Sequence, residues 1–202
     1  MSIIHILSIV VGILLLVGII AFAQDIKVKN NVFEVLYSQS LEQPLWIKYH
    51  STNRPTNVNR GTMDFYTERG LITSDAEDYA HNRYDKGHLA PAATFSDNME
   101  NLKGTFSYLN CTLQWDELNR GQWKQLEETE RIWDNSERLD IEVDMIFTTN
   151  SIKLPTGATV PDGFTKHIHF IKQNIYKCYE FPNHKVNGVW GLYQIKCKRH
   201  PN

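Results

Sequence analysis

The segment YDKGHLAPAA, residues Tyr84–Ala93, is the densest run of chemically active side chains in this sequence, and the assignment of a fold begins with it. His88 lies within it, and a histidine with an ordinary pKa of about 6.5 can exchange a proton with water near neutral pH. Gly87, directly before it, permits a backbone geometry that a Cβ atom would resist. A Gly-His pair also occurs in ordinary loops, so its meaning depends on the motifs further along the chain.

Two such motifs come later in the chain. The segment YLNCTLQ, residues Tyr108–Gln114, belongs to a buried strand that we expect over residues 105–114. Residues 118–133 are expected to form an amphipathic helix, because apolar side chains recur near helical spacing. Those side chains are Leu118, Trp123, Leu126 and Trp133. Asn119 opens this helix, where asparagine is also a favoured N-cap. Glu127 lies about two turns later, roughly on the same face.

The order and spacing of these motifs resemble the DNA/RNA non-specific endonucleases, a family built around a ββα-metal finger. That family carries Asp-Arg-Gly-His, then Asn and Gln on a strand, then Leu-Asn-x-x-x-Trp-x-x-Leu-Glu on a helix. Here His88 and Asn119 are 31 positions apart, which fits, and Val160–Lys166 also resembles a family segment. The resemblance extends from about Trp46 to Phe170. It implies a metal-dependent endonuclease that hydrolyses phosphodiester bonds in DNA and RNA.

The resemblance also implies roles for four side chains. His88 would be the general base, and Asn119 the single direct protein ligand of Mg²⁺, with Mn²⁺ as a second candidate. An amide oxygen suits such a hard cation, although a helix N-cap is the alternative role for Asn119. Glu127 would orient a water molecule of the site. Arg131 could hold Glu127 as an i,i+4 pair, and a solvated helix charge is its equal alternative.

Further cations and amides are expected to bind the substrate. Lys86 is expected to belong to the catalytic group with His88, Glu127 and Arg131, by neutralising the phosphate charge. It stands where the family usually carries arginine; lysine keeps the charge but loses the planar fork that binds phosphate through two hydrogen bonds. Arg60 matches a family arginine upstream of the histidine motif, and Arg120 follows the expected metal ligand. Asn110 and Gln114 match family positions on the strand that faces the site. Amides satisfied within the strand are an equally good interpretation of these two residues.

The remaining sequence predicts one α+β domain over residues 24–202 with a central antiparallel sheet. The expected strands are Val32–Leu36, Leu45–His50, Ile141–Thr148, Phe164–Ile171, Asn174–Phe181 and Gly188–Lys198. Cys178 and Cys197 fall on adjacent expected strands and could pair if the protein is exported, which would leave Cys111 unpaired. His167 and His169 share one face of a strand, where a structural role is favoured over metal chelation.

Residues 3–23 form an uncharged apolar run of 21 residues, enough to cross a bilayer as an N-terminal hydrophobic helix. Ala21-Phe22-Ala23 has the form of a signal-peptidase site, whereas the length of the run and the lack of a preceding Lys or Arg fit an uncleaved anchor. Both interpretations set residues 1–23 apart from the domain and predict a secreted or membrane-anchored protein with the domain outside the cytoplasm. Lys27 and Lys29 weakly favour the opposite topology.

The amino-acid composition excludes some classes of function and leaves others open. The chain carries 21 Lys and Arg against 23 Asp and Glu, a formal charge of −2, which excludes a uniformly basic nucleic-acid coat. The charge is uneven, because residues 113–148 hold 4 basic and 10 acidic groups and residues 149–202 hold 8 and 2. The basic C-terminal part could meet a polyanion. A non-catalytic, membrane-tethered nucleic-acid-binding protein on the same fold and an adhesion protein remain alternatives, and the oligomeric state stays open.

Overall fold

The computed structural model describes residues 24–197 and shows a mixed α/β fold with a large antiparallel sheet. Its strands are β1 (Asp25–Lys29), β2 (Phe33–Ser38), β3 (Gln43–Ser51), β4 (Tyr84–His88), β5 (Cys111–Trp115), β6 (Leu139–Ile146), β7 (Gly163–Phe170), β8 (Ile175–Pro182) and β9 (Gln194–Ile195). The large sheet has the order β1-β2-β3-β6-β7-β8-β9, and β4 pairs with β5 in a separate hairpin. The central antiparallel sheet predicted from the sequence is therefore confirmed.

The helices are short apart from one. They are α1 (Met99–Gly104), α2 (Asp116–Leu118), a π-helical turn (Asn119–Trp123) and α3 (Lys124–Trp133), with 3-10 turns at Glu77–Tyr79, Ala92–Phe95, Tyr108–Asn110 and Trp190–Tyr193. Within residues 24–197, no helix combines the length and apolar character needed to cross a bilayer. The hydrophobic helix expected over residues 3–23 lies outside the described residues.

Helix α3 packs on one face of the large sheet and closes the main core. The alternation of β6 and β7 places one row of side chains against the helix, as the period of two in a strand requires. The Trp123 ring lies 5.5 Å from that of Phe164, and the Trp133 ring lies 5.3 Å from that of Phe170. The helix that follows Asn119 is thereby fixed to the sheet at both of its ends.

Two buried amides connect the β4–β5 hairpin to the large sheet. Gln43 on β3 accepts hydrogen bonds from the Thr112 hydroxyl at 2.8 Å and from the Leu113 N–H at 3.2 Å. Asn183, just after β8, accepts from the Trp115 N–H and donates to the Leu113 carbonyl, both at 2.8 Å. These contacts hold β5 against the large sheet, on which α3 also packs, so the sheet fixes the positions of both the hairpin and the helix.

Three of the expected elements are corrected. The strand expected over residues 105–114 is confined to Cys111–Trp115, because residues 105–110 turn around the Asn110 side chain. The helical segment expected over residues 118–133 begins at Asp116 and is kinked at Gly121 (φ −104°, ψ −109°) within the π-helical turn, and Asn119 has helical backbone angles before this kink, so it is not an N-cap. Of the last expected strand, only Gln194–Ile195 pairs with β8, after a 3-10 turn.

A disulfide joins Cys178 on β8 to Cys197, with 5.3 Å between their Cα atoms. Cys111 is a buried free thiol. The pairing that the strand positions suggested is therefore present. It fastens the last described residues to the edge of the large sheet.

Candidate active site

A cavity of about 370 Å³ opens where the β4–β5 hairpin meets the helical segment. Its ionisable and amide side chains come from the 60s loop, β4, the π-helical turn and α3. They are Arg60, Lys86, His88, Asn119, Arg120, Lys124, Glu127 and Arg131. Pro91, Ala92 and Ala93 complete the wall. Five cationic groups thus face one carboxylate, an arrangement that favours an anionic ligand.

His88 is the last residue of β4, and two aromatic rings hold its imidazole in place. The ring centroids of Phe65 and Phe106 lie 4.5 Å and 4.9 Å from that of His88. Burial lowers the pKa of His88 to about 3, and the positive charge of Arg60 adds to this shift. The imidazole is therefore neutral at pH 7. Its Nε2 atom is buried and has no hydrogen-bond partner within residues 24–197.

Asn119 begins the π-helical turn and is oriented by a carboxylate of the hairpin. Its Nδ2 donates to Asp85 Oδ2 at 2.9 Å, so the amide oxygen is the end that can reach a cation. Asp85 also binds the neighbouring Arg120, with Nε to Oδ2 at 2.8 Å and an N–H to Oδ1 at 2.5 Å. One carboxylate on β4 therefore fixes two residues of the helical segment.

Glu127 faces the cavity from the first turn of α3. Burial raises the pKa of its carboxyl to about 7, and the charge of Lys166 is the largest influence in the opposite direction. Its Oε1 atom lacks a hydrogen-bond partner in the part of the chain that the structure describes. Arg131 lines the same cavity and lowers the pKa of Glu127 through its charge. Within residues 24–197, no ion pair joins these two side chains directly.

Lys86 and Arg60 approach His88 from the hairpin and the 60s loop. The Lys86 ammonium binds both oxygens of Asp64, at 2.8 Å and 2.9 Å, and this pairing lowers the pKa of the Asp64 carboxyl. The Arg60 guanidinium lies 5.4 Å from the centroid of the Phe106 ring, the same ring that contacts His88. Both cations can therefore reach an anion beside the imidazole, and Lys86 already has a carboxylate partner.

The two strand amides lie outside the lining of the cavity. Asn110 is fully buried, accepts from the Ala90 N–H at 2.7 Å and donates to the carbonyls of Ala90 and Thr105. Every polar atom of its amide is occupied by backbone, which fits the structural interpretation of this residue. Gln114 is also buried, and a Cβ atom on Gly87 would lie 2.5 Å from its Oε1. Glycine before the histidine is thus required by this close approach.

The donor set fits a hard divalent cation. Mg²⁺ prefers oxygen ligands and keeps several of its water molecules, so a site with few protein ligands suits it. Asn119 offers an amide oxygen that Asp85 orients, and Glu127 offers an unsatisfied carboxylate oxygen on the same cavity. Asn119 would hold the ion directly, and Glu127 would bind water molecules beside it.

Sequence reasoning missed three participants. Asp85 lies inside the YDKGHLAPAA segment, directly before Lys86, and a carboxylate among cations was a usable signal. Lys124 lines the cavity one helical turn before Glu128, yet nothing in its sequence context distinguishes it from a solvated lysine. Asp64 lies 22 positions before its partner Lys86, and only the fold brings the two together.

Comparisons with known proteins identify a family and several relatives. A family model described as DNA/RNA non-specific endonuclease matches residues 17–200. A curated relative, "Nuclease EXOG, mitochondrial" from Danio rerio, is 31% identical over 96 residues, covering 45% of this chain and 28% of the relative. A second, "Nuclease" from Serratia marcescens, is 28% identical over 119 residues, covering 54% of this chain and 43% of the relative. The chain therefore spans less than half the length of these two relatives.

A solved structure shares the fold. It is titled "Crystal structure of the EndoG/EndoGI complex: Mechanism of EndoG inhibition", and it aligns with a TM-score of 0.76 at 19% identity. The alignment covers 86% of this chain and 81% of that one. At this identity the likeness concerns the fold, and it extends over nearly all of the described residues.

Proposed function

Because the chain belongs to the DNA/RNA non-specific endonuclease family, we propose that it is a metal-dependent endonuclease that hydrolyses phosphodiester bonds in both DNA and RNA. The observation that carries this proposal is the meeting of His88, Asn119 and Glu127 on one cavity whose other charged groups are all cationic. Hydrolysis of a phosphodiester needs a proton acceptor for water, a cation near the phosphate and a place for the negative charge that develops.

His88 is the proton acceptor in this proposal. A neutral imidazole is required, and burial keeps His88 neutral at pH 7 with a pKa of about 3. Because so low a pKa also makes the imidazole a weak base, this proposal requires the negative charge of the bound phosphate to raise it. Because Nε2 is enclosed, we assign the accepting role to Nδ1. The rings of Phe65 and Phe106 restrict rotation of the imidazole, so the acceptor is positioned before the substrate arrives.

Asn119, oriented by Asp85, is the proposed direct ligand of Mg²⁺ or Mn²⁺. When bound there, the cation supplies Lewis-acid stabilisation of the charge on phosphate and on the leaving oxygen. Glu127 orients water through its carboxylate. Arg131 contributes positive charge at the wall beside Glu127, and the same charge favours the ionised form of that carboxyl.

The remaining cations hold the sugar-phosphate backbone. Lys86, Arg60 and Arg120 lie at the rim, where they can contact phosphates on either side of the bond that is cut. Contacts to phosphate carry no sequence information, so we expect little base specificity. The 2′-hydroxyl has no dedicated partner in this proposal, which is why both DNA and RNA are accepted.

The direct test is cleavage of plasmid DNA and of a long RNA by the purified protein with Mg²⁺. His88→Ala should lower the rate by about 10²–10⁴-fold, the usual contribution of a general base. His184→Ala, at an exposed histidine after β8, is the matched control and should retain activity. Unchanged cleavage by His88→Ala would refute the assigned mechanism.

Chelation separates this proposal from its main alternative. EDTA should abolish cleavage if the protein is the proposed enzyme. A non-catalytic, membrane-tethered nucleic-acid-binding protein on the same fold would instead retain DNA binding and show no metal-dependent cleavage at all. The cationic cavity supports binding in both cases, whereas the neutral His88 and the oriented Asn119 favour the enzyme.

We further propose that the domain, residues 24–202, acts outside the cytoplasm, either secreted or attached to a membrane through residues 3–23. The Cys178–Cys197 disulfide supports an oxidising compartment. Intact-mass measurement on the protein from its native envelope would distinguish cleavage after Ala23 from an uncleaved anchor. A reduced Cys178–Cys197 pair in that preparation would count against export.

A further inference from the structure

A lysine interrupts the apolar inner row of β7. Phe164, Ile168 and Phe170 occupy this row, and Lys166 lies among them with no measurable exposure of its side chain. Transferring an ammonium out of water costs several kcal/mol even after relaxation of the protein. A hydrophobic residue would fill this position at no such cost, so the charge calls for a physical explanation.

The Lys166 ammonium has two kinds of partner. Its Nζ donates to Glu130 Oε1 at 2.9 Å, and it lies 4.1 Å from the centroid of the Trp123 ring. Glu130 is also buried, and its Oε2 accepts from the Tyr49 hydroxyl at 3.0 Å. A cation over a tryptophan face in a desolvated setting is a strong interaction of its kind. These contacts connect β7 and β3 with the helical segment.

Both contacts lie next to the candidate active site. Glu130 follows Glu127 by three residues, so the two side chains are neighbours on the surface of α3. Trp123 ends the π-helical turn that Asn119 begins. Lys166 therefore contacts one residue near Asn119, the proposed cation ligand, and one near Glu127, which is proposed to orient water. No other buried cation in residues 24–197 has this placement.

The charge of Lys166 also acts on Glu127 itself. Burial raises the pKa of the Glu127 carboxyl, and Lys166 opposes that effect more strongly than any other charge. Glu130 acts in the opposite direction and more weakly, so the ion pair is not electrostatically neutral for Glu127. The groups near Glu127 are contributed by β7, β3, the π-helical turn, α3 and β4: Lys166, Tyr49, Trp123, Glu130, Arg131 and His88.

We propose that Lys166 is a positioning residue of this site: its buried ammonium fixes α3 through Glu130 and Trp123 and places a positive charge behind the wall of the cavity that Glu127 lines. Lys166 is absent from the lining of the cavity and touches neither substrate nor cation, so it acts only through Glu130, Trp123 and Glu127. The inference rests on the proposed function for its catalytic consequence. The placement of the buried ammonium against Glu130 and Trp123 stands on the contacts alone.

The test replaces the charged pair with a neutral one. Lys166→Met alone would leave Glu130 buried without a counter-ion, and such variants often fold poorly. The double variant Lys166→Met/Glu130→Gln keeps the volume and an amide oxygen for the Tyr49 hydroxyl, and neutral replacements of buried pairs commonly retain stability. Lys177→Met is the matched control, because its ammonium also lies 4.1 Å from a tryptophan of α3, Trp133, but on β8.

Two readouts distinguish positioning by charge from a purely structural clamp. In EDTA, ¹³C NMR titration of the Glu127 carboxyl should show a higher pKa in the double variant than in the wild type or in Lys177→Met. With Mg²⁺, kcat on DNA at pH 6 should fall about tenfold with KM unchanged, and the acidic limb of the pH profile should move to higher pH. The second neutral pair, Lys166→Gln/Glu130→Gln, should show the same shift, because it also removes both charges and keeps a polar side chain at each position.

A double variant with the wild-type carboxyl titration and pH profile would overturn the inference and leave the pair a structural clamp. If Lys166→Met/Glu130→Gln does not fold, Lys166→Gln/Glu130→Gln decides the matter, since an unchanged or lowered pKa of Glu127 in that variant would also overturn the inference. If the wild type cleaves no nucleic acid, the proposed function fails, and the NMR titration still tests Lys166 independently.

Discussion

Two groups of buried polar side chains in this protein differ in how completely they are hydrogen-bonded. Asn110, Gln43 and Asn183 are bonded to backbone or to neighbouring side chains. His88 and Glu127 each keep a buried polar atom without a partner within residues 24–197. Unsatisfied buried polar groups are uncommon because each costs free energy. His88 and Glu127 line the cavity together with Arg131, which in the described part of the chain also keeps an unpartnered nitrogen, whereas Gln114 and Trp115 have such atoms away from the cavity. At Glu127 a ligand in the cavity can therefore supply the partner that the fold does not.

The two groups of side chains therefore have different functions. The fully bonded amides hold the backbone on either side of His88 and Gly87, and they stabilise the fold whether or not a ligand is bound. Glu127 Oε1 can gain a partner when a cation and water enter, whereas His88 would act through Nδ1 and its Nε2 atom stays enclosed. Substitutions in the first group should therefore lower stability, whereas substitutions in the second should lower activity and leave stability equal or improved.

The largest expected effect on stability is at Asn110. Asn110→Ala removes three hydrogen bonds and leaves the Ala90 N–H and two carbonyls buried without partners, so it should lower the free energy of unfolding by about 3–5 kcal/mol. Urea denaturation gives this value. Asn57→Ala, which removes one exposed hydrogen bond, should cost about 0.5 kcal/mol. Equal stability of the two variants would contradict the structural role of Asn110.

A smaller effect of opposite sign is expected at Glu127. The pKa of the Glu127 carboxyl is about 7 in the folded protein against an ordinary 4.5. The folded state therefore tolerates the protonated carboxyl better than the charged one, and this stability is complete below pH 4.5 and is lost as pH rises through 7. Glu127→Gln has no such loss. In EDTA, we expect the variant to gain about 1–3 kcal/mol relative to the wild type between pH 5 and pH 8, while its nuclease activity falls.

Thermal unfolding across this pH range measures the gain. Glu128→Gln is the matched control, because Glu128 is exposed on the same helix and forms only an i,i+4 contact with Lys124 at 3.8 Å. It should show no such pH-dependent gain. If Glu127→Gln followed the wild type at every pH, the unsatisfied carboxylate would carry no free-energy cost, and the two groups of polar side chains would not differ in this respect.

The smallest effect concerns Lys86. Lys86→Arg restores the planar fork that binds phosphate through two parallel hydrogen bonds, so the initial rate on plasmid DNA should rise about two- to tenfold. Asp64 remains available to orient the guanidinium. Lys103→Arg, at an exposed position of α1, should leave the rate unchanged. A lower rate in Lys86→Arg would mean that the compact ammonium is what the contact with Asp64 requires.

The sequence predicted features that depend on residues close together in the chain and missed those that depend on residues far apart in it. Side-chain types at short spacing predicted the order of the hairpin, its histidine and the helix. In the structure, His88, Asn119 and Glu127 line one cavity. The pairing of Lys86 with Asp64 and of Lys166 with Glu130 depends on contacts between distant elements. The motif identifies Asn110 in the sequence but does not show which groups its amide binds, because the same side chain can serve a strand, a turn or a substrate equally well.

The kink inside the segment Asn119–Trp123 has a consequence for angular phase. In an uninterrupted α-helix, eight residues make about 2.2 turns, which would set Asn119 and Glu127 about 80° apart around the axis. Gly121 lies between them with φ −104° and ψ −109°, outside the helical region, so the phase of α3 does not continue back to Asn119. One glycine therefore releases the two side chains from the fixed angle of a continuous helix, and both of them line the same cavity.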